Sequence, residues 1–178
     1  IRWAAAHPDR IGALVLLNTY YGWNSARMPP ILKLLHAPVL GRLLRRLIGV
    51  GQPGLSWRLF RWQTGRVWAR RGPDTEHILR TFHGVFRHAT DARAAFHAIN
   101  DQLVGHVNAN QRRLDIVTGL DCPTLILWGG EDPYLRPSVA RQFHRLIPNS
   151  QVRMVADAGH FLQLETPELS EHEQDRLD

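Results

Sequence analysis

The sequence predicts an α/β protein: a parallel sheet whose strands are separated by a long, all-helical insertion. Three observations carry this. Ala13-Leu14-Val15-Leu16-Leu17 and Thr124-Leu125-Ile126-Leu127-Trp128 are short apolar runs without alternation, the pattern of strands buried on both faces. Between them, from Tyr20 to about Leu120, no strand-like run occurs. The 44% apolar and 21% charged composition is that of a folded globular chain, with enough residues for one sizeable core.

Taken in order, Ile1 to Ala6 reads as the end of a helix, broken by His7-Pro8-Asp9-Arg10 before the first strand, residues 13 to 17. Pro29-Pro30, Pro38, Gly49, Gly51, Pro53-Gly54 and Gly72-Pro73 punctuate helical pieces within the insertion. After Cys122 the second strand, 124 to 128, leads to a helix from Ser138 to Leu146 with Ser138 as its cap. Val139, Phe143, Leu146 and Ile147 share one face of it. A third strand, Val152 to Val155, comes after Pro148-Asn149, completing a strand-helix-strand crossover. The domain reading is therefore a sheet-bearing core from residues 1–19 and 121–178, and a helical lid from residues 20–120.

Charge is uneven along the chain. Tyr20 to Arg113 holds fourteen Arg and one Lys against four acids, about +11, within a total of +6. No zinc finger, aromatic RNA-binding signature or KH loop accompanies the basic stretch, so nucleic acid is not the expected partner. Arginine outnumbers lysine 21 to one, a coding bias that accounts for part of the basicity. Cys122 is the only cysteine, which excludes an intrachain disulfide and fits a reducing, cytoplasmic setting. No run reaches the roughly 18 to 20 apolar residues of a membrane span. The chain starts without Met, midway through a helical pattern, and the expectation is that residues precede Ile1.

Two polar groups lie just beyond the last two strands. Gly129-Gly130-Glu131-Asp132-Pro133 comes after the second, and Ala156-Asp157-Ala158-Gly159-His160-Phe161 after the third. The carboxyl ends of neighbouring parallel strands form the crevice where open α/β sheets place their sites. An Asp that accepts from one imidazole nitrogen fixes the tautomer, leaving the other nitrogen to take a proton. Asp132 and His160 are the candidate catalytic residues. Glu131 reads as a solvated neighbour, and Asp157, in the histidine's own loop, as a turn former. Asn18 closes the first strand, but an amide cannot stabilise an imidazolium by charge.

With these motifs in place, the chain resembles the α/β-hydrolase fold family. The resemblance rests on Ala4-Ala5-Ala6-His7-Pro8-Asp9-Arg10-Ile11 before Leu14-Val15-Leu16-Leu17-Asn18, on Pro123-Thr124-Leu125-Ile126-Leu127-Trp128-Gly129-Gly130-Glu131-Asp132, and on Ala158-Gly159-His160-Phe161. It implies strands six, seven and eight of that fold, a partial sheet, with the insertion as lid. It also implies a nucleophile, Asp132 as acid and His160 as base, in that chain order. No Gly-x-Ser-x-Gly elbow occurs in the sequence, so the nucleophile is expected shortly before Ile1, and this chain alone is expected to be inactive.

The resemblance further implies a hydrolase acting on a small or medium apolar molecule, through an ester, epoxide, carbon-halogen or carbon-carbon bond. A serine nucleophile implies ester or carbon-carbon hydrolysis, and an aspartate implies epoxide or haloalkane chemistry. The alternative is a non-catalytic binding protein of the same fold. No cofactor is expected. His77, His83, His88 and His97 lack the three- or four-residue spacing that stacks metal ligands on a helix. Trp57, Phe60, Arg61, Trp62 and Trp68 read as lid packing or as pocket lining, and Leu43-Leu44-Arg45-Arg46-Leu47-Ile48 as a basic amphipathic face. Self-association is expected through the first strand, which has no charge or proline to blunt an open edge.

Overall fold

The computed structural model describes residues 1–22, 30–47 and 53–167. In chain order the elements are α1 (Arg2–Ala6), a 3-10 turn (Pro8–Arg10), β1 (Leu14–Leu17), α2 (Pro30–Leu35), α3 (Leu40–Leu47), α4 (Pro53–Thr64), α5 (Thr75–His88), α6 (Thr90–Gln111), α7 (Asp115–Thr118), β2 (Thr124–Gly129), α8 (Pro137–Leu146), β3 (Ser150–Val155) and α9 (Leu162–Glu165). The three strands form one parallel sheet in the order β1-β2-β3. Its register pairs Leu14 with Thr124 and Thr124 with Ser150.

Every residue of β2 is buried, as a central strand with two neighbours requires. In β1 only Leu16 is fully buried, and β3 has half-buried and exposed positions but no fully buried one. The expectation of strands covered on both faces therefore holds for the middle of the sheet and weakens at its edges. The pleat divides the core in two. Leu16, Ile126 and Trp128 point to one face and pack with Ala4, Val117, Leu120, Val139, Ala140, Phe143 and Ile147. Leu125 and Leu127 point to the other, with Ala158, Leu162, Val15, Leu17 and Val155.

Helix α8 lays its apolar stripe on the first of these faces, burying Val139, Ala140 and Phe143. Ser138 is not its cap. Arg136 holds that position in extended backbone and Pro137 is the first helical residue. Proline suits that position because its missing N–H would have had no helical partner there. Ser138 is displaced into the first turn, and no side chain caps the helix.

The chain packs as two compact units. One draws its described residues from Ile1–Arg27, Val67–Arg70 and Val107–Asp178, and contains the sheet. The other draws its described residues from Met28–Arg66 and Arg71–His106, and its elements are helices. The stretch 107–120 and the short segment 67–70, which the sequence groups with the insertion, thus pack with the sheet.

In the helical unit several arginines rest on their own surroundings. Arg61 and Arg80 both pair with Glu76, at 3.3 and 3.0 Å. Arg80 also lies over the Trp57 ring, and Arg66 over that of Trp62. Arg61, Glu76 and Arg80 are largely exposed, so these contacts contribute little stability each. Among the described residues, no helix is long and apolar enough to cross a membrane. The tail from Ser170 to Asp178, and Ile48 of the basic amphipathic stretch, lie outside the described residues.

Candidate active site

Because β2 and β3 are parallel neighbours, the turns beyond them emerge side by side. The chain leaves β2 at Gly129, where an added Cβ would press into the carbonyl oxygens of Gly159 and Ala158. Only glycine allows this approach of strand end to histidine loop. The two turns are tied directly, Gly130 N donating to Val155 O at 2.8 Å and Glu131 N to Ala158 O at 3.0 Å.

Asp132 and His160 meet across this junction. The imidazole Nδ1 and the Asp132 Oδ2 are 2.6 Å apart. A carboxylate can only accept, so the shared proton sits on Nδ1, and in the neutral form of the ring Nε2 keeps its lone pair. The Asp132 side chain is fully buried, whereas that of His160 is 29% exposed. The pair is thus closed at the acid and open at the base.

Four donors converge on the Asp132 carboxylate. Oδ1 accepts from the backbone N–H groups of Tyr134 at 2.8 Å and Leu135 at 2.9 Å, closing the turn around Pro133. Oδ2 accepts from His160 and from the Asn18 amide at 2.8 Å. Burial pushes the Asp132 pKa up. The hydrogen bond and charge of His160, with the two backbone donors, outweigh it and hold the carboxyl below its ordinary value. Trp128 braces the same turn by donating to Leu135 O at 2.7 Å.

Asn18 carries no charge, and its part in the site is a different one. Its amide donates to Asp132 Oδ2 and to Gly159 O, and its carbonyl oxygen accepts from Gly129 N. One buried side chain thereby ties the ends of β1 and β2 to the histidine loop beyond β3. It does so from a left-handed backbone, φ +30°, which asparagine adopts more readily than most residues. An asparagine ending an apolar strand is the available signal in the sequence; its partners are distant along the chain and leave none.

Glu165 leaves no signal at all. Both its oxygens accept from Gly159 N at 3.1 Å, and Oε2 also accepts from Ala69 N and Arg70 N. Glu131 and Asp157 are exposed, consistent with a solvated neighbour and a turn former. His83 contacts Ser56 Oγ through Nε2 at 2.9 Å and lies against Trp57 and Phe60. Burial first, then the positive charge of Arg87, His88 and Arg80, lowers its pKa. Among the described residues, no group of three or more His, Cys, Asp or Glu side chains is arranged to hold a metal.

A parallel sheet that presents a buried carboxylate and a half-open histidine at adjacent strand ends is an α/β scaffold with an acid-base pair in its crevice. The chain belongs to the alpha/beta hydrolase fold family, whose sequence model matches residues 59–167. It is 24% identical over 172 residues to a cis-3-alkyl-4-alkyloxetan-2-one decarboxylase from Shewanella oneidensis, covering 90% of this chain and 50% of that protein. Over 55 residues it is 33% identical to Lipase 1 of Psychrobacter immobilis, covering 31% of this chain and 17% of the lipase.

Solved structures agree on the fold. The 2-hydroxy-6-oxo-6-phenylhexa-2,4-dienoate hydrolase of a Rhodococcus species superposes with a TM-score of 0.76 at 13% identity, covering 99% of this chain and 58% of that one. A thermophilic esterase from Thermogutta terrifontis superposes at 0.62 and 20% identity, covering 98% and 58%. The chain therefore spans half to three fifths of the proteins it matches end to end.

Proposed function

We propose that this chain supplies the acid and base of a hydrolase that cleaves esters of small or medium apolar molecules. Asp132 orients His160 and stabilises its imidazolium. His160 Nε2 takes the proton of a serine that lies before Ile1, and later returns it to the leaving group. The observation that carries this is the 2.6 Å contact between a half-open imidazole and a buried carboxylate with four donors. The names lipase and esterase among the relatives support ester chemistry over epoxide or haloalkane chemistry. The helical unit acts as the lid, and the 178 residues alone are inactive, since nucleophile and oxyanion donors both come from outside them.

The test compares p-nitrophenyl ester hydrolysis by the protein at its natural length with that of residues 1–178. The longer protein is expected to turn over, and His160→Ala to lower kcat by about 10⁴-fold or more. The short chain is expected to match the uncatalysed rate. Turnover by the short chain would overturn the assignment of the nucleophile and direct attention to Ser56 and Ser150, each already in contact with a histidine. An inert natural-length protein would favour the binding-protein reading.

A further inference from the structure

We propose that Glu165 is a positioning residue for His160, acting through the strap Val67–Arg70 that the middle of the insertion returns to the sheet-bearing unit. This rests on His160 being the base. It goes beyond that reading because the residues involved are neither acid, base nor nucleophile.

The carboxylate of Glu165, at the end of α9, collects three backbone donors. Ala69 N and Arg70 N lie 2.9 and 2.8 Å from Oε2, and Gly159 N lies 3.1 Å from both oxygens. Ala69 and Arg70 stand in no helix or strand, so no regular ladder provides for these N–H groups, and an anionic acceptor is the strong way to satisfy them. The strap responds in the other direction. Val67 O accepts from the backbone N–H of His160 at 2.7 Å, and the Trp68 ring lies against Phe161, 5.6 Å between centroids.

His160 is therefore gripped through its main chain from both sides: through Gly159 by Glu165, and through its own N–H by a strap that Glu165 holds. A Cβ at Gly159 would meet Val67 O, Ala69 N at 2.7 Å and Glu165 Oε1 at 2.9 Å. Strap, glutamate and histidine loop are packed too closely for even a methyl group. On either side of the strap the chain runs directly into the helical unit, at Arg66 and Arg71. The base loop is thus fastened to a segment of the insertion, with Glu165 as the fastener.

Glu165→Gln tests this in the protein at its natural length. With its oxygen in the place of Oε2 the amide still accepts from Ala69 and Arg70, but its NH2 then faces the Gly159 N–H 3.1 Å away and the negative charge is gone, so the Gly159 bond is broken and the other two weakened. Amide exchange at Gly159 should quicken by about 10- to 100-fold, and at Ala69 and Arg70, which keep an acceptor but lose its charge, by about threefold to tenfold. His160 N–H should do the same, its low-field Nδ1 proton should exchange faster with water, and kcat for a p-nitrophenyl ester should fall about tenfold with KM little changed.

Amides of β2 should keep wild-type exchange. A purely structural Glu165 would lower the melting temperature while leaving the Nδ1 proton and kcat unchanged, and that result would overturn the proposal. Should Glu165→Gln not fold, Glu165→Asp keeps the charge but shortens the reach by one methylene. It is expected to show the same changes in smaller measure, and wild-type values there would equally overturn the proposal. Asp132→Asn is the control for the reading beneath: if it leaves the Nδ1 proton untouched, the acid-base pairing fails, while exchange at Ala69 and Arg70 still reports on the latch.

Discussion

Each oxygen of the Asp132 carboxylate faces two donors, and this dictates what replacement costs. An asparagine there must turn its NH2 either toward His160 and Asn18 or toward the N–H groups of Tyr134 and Leu135. Either way donors face donors in a fully buried site. Asp132→Asn should therefore destabilise the fold by about 1–3 kcal/mol by chemical denaturation, despite being isosteric. The acid limb of the stability curve reflects the depressed pKa. Stability contributed by Asp132 is fully present above its ordinary 3.8 and is lost as pH falls below that value through its folded-state pKa. Asp132→Asn should flatten that part of the stability-pH curve, and an unchanged acid limb would count against the pairing.

Asn18→Asp reverses the sign. A second carboxylate would face Asp132 Oδ2 and the Gly159 carbonyl across the 2.8 and 2.9 Å contacts that the amide now bridges as donor. One of the two carboxyls should then keep a proton above the usual range. The stability so gained is present at acid pH and lost as pH rises through the raised pKa. Thermal melts of this variant should show higher stability near pH 4 than near pH 7, opposite to the contribution of Asp132 in the parent chain. At this scale Asp132 and His160 are legible as candidates in the sequence because they lie in the glycine-bearing turns just beyond two strand-like runs. Asn18 and Glu165 act on backbone groups far away along the chain, which composition and spacing do not encode.

At the scale of elements, the sheet and α8 are visible in the sequence because continuous apolar runs and a helical apolar stripe are local signals. The extension of β3 back to Ser150 is not, since Ser150 and Gln151 owe their strand conformation to pairing with Thr124 and Leu125. The cap of α8 is ambiguous in sequence because Ser138 and Pro137 are both helix-start residues, and proline at the first position takes precedence. The close approach of β2 to the histidine loop is the feature on which the site depends. Gly129→Ala would force its methyl into the carbonyls of Gly159 and Ala158. The expected cost is about 1–3 kcal/mol, together with loss of the low-field His160 Nδ1 proton as the two turns separate. A wild-type melt and an intact Nδ1 signal would show that the loops tolerate a wider junction.

At the scale of the whole molecule, the sequence discloses a helical insertion between strands, but not that residues 67–70 return from it to the histidine loop in the sheet-bearing unit, because a short strap has no periodicity. Among the described residues β1 pairs only with β2, leaving its other edge open, and Leu14, Val15 and Leu17 are only half-buried. An apolar edge with no charge or proline templates further pairing. Residues 1–178 in isolation are expected to associate, seen by light scattering as oligomers that bind a hydrophobic dye. A monodisperse monomer with little dye binding would contradict this.

We propose that Asp132 and His160 serve a serine that precedes Ile1. Labelling with a fluorophosphonate, which reacts with a serine only when a neighbouring base activates it, tests this most directly when the modified peptide of the natural-length protein is located by mass spectrometry. A single labelled serine upstream of Ile1 is expected, with labelling abolished by His160→Ala and strongly slowed by Asp132→Asn. Labelling of a serine within residues 1–178, or labelling that proceeds at the same rate without His160, would contradict it.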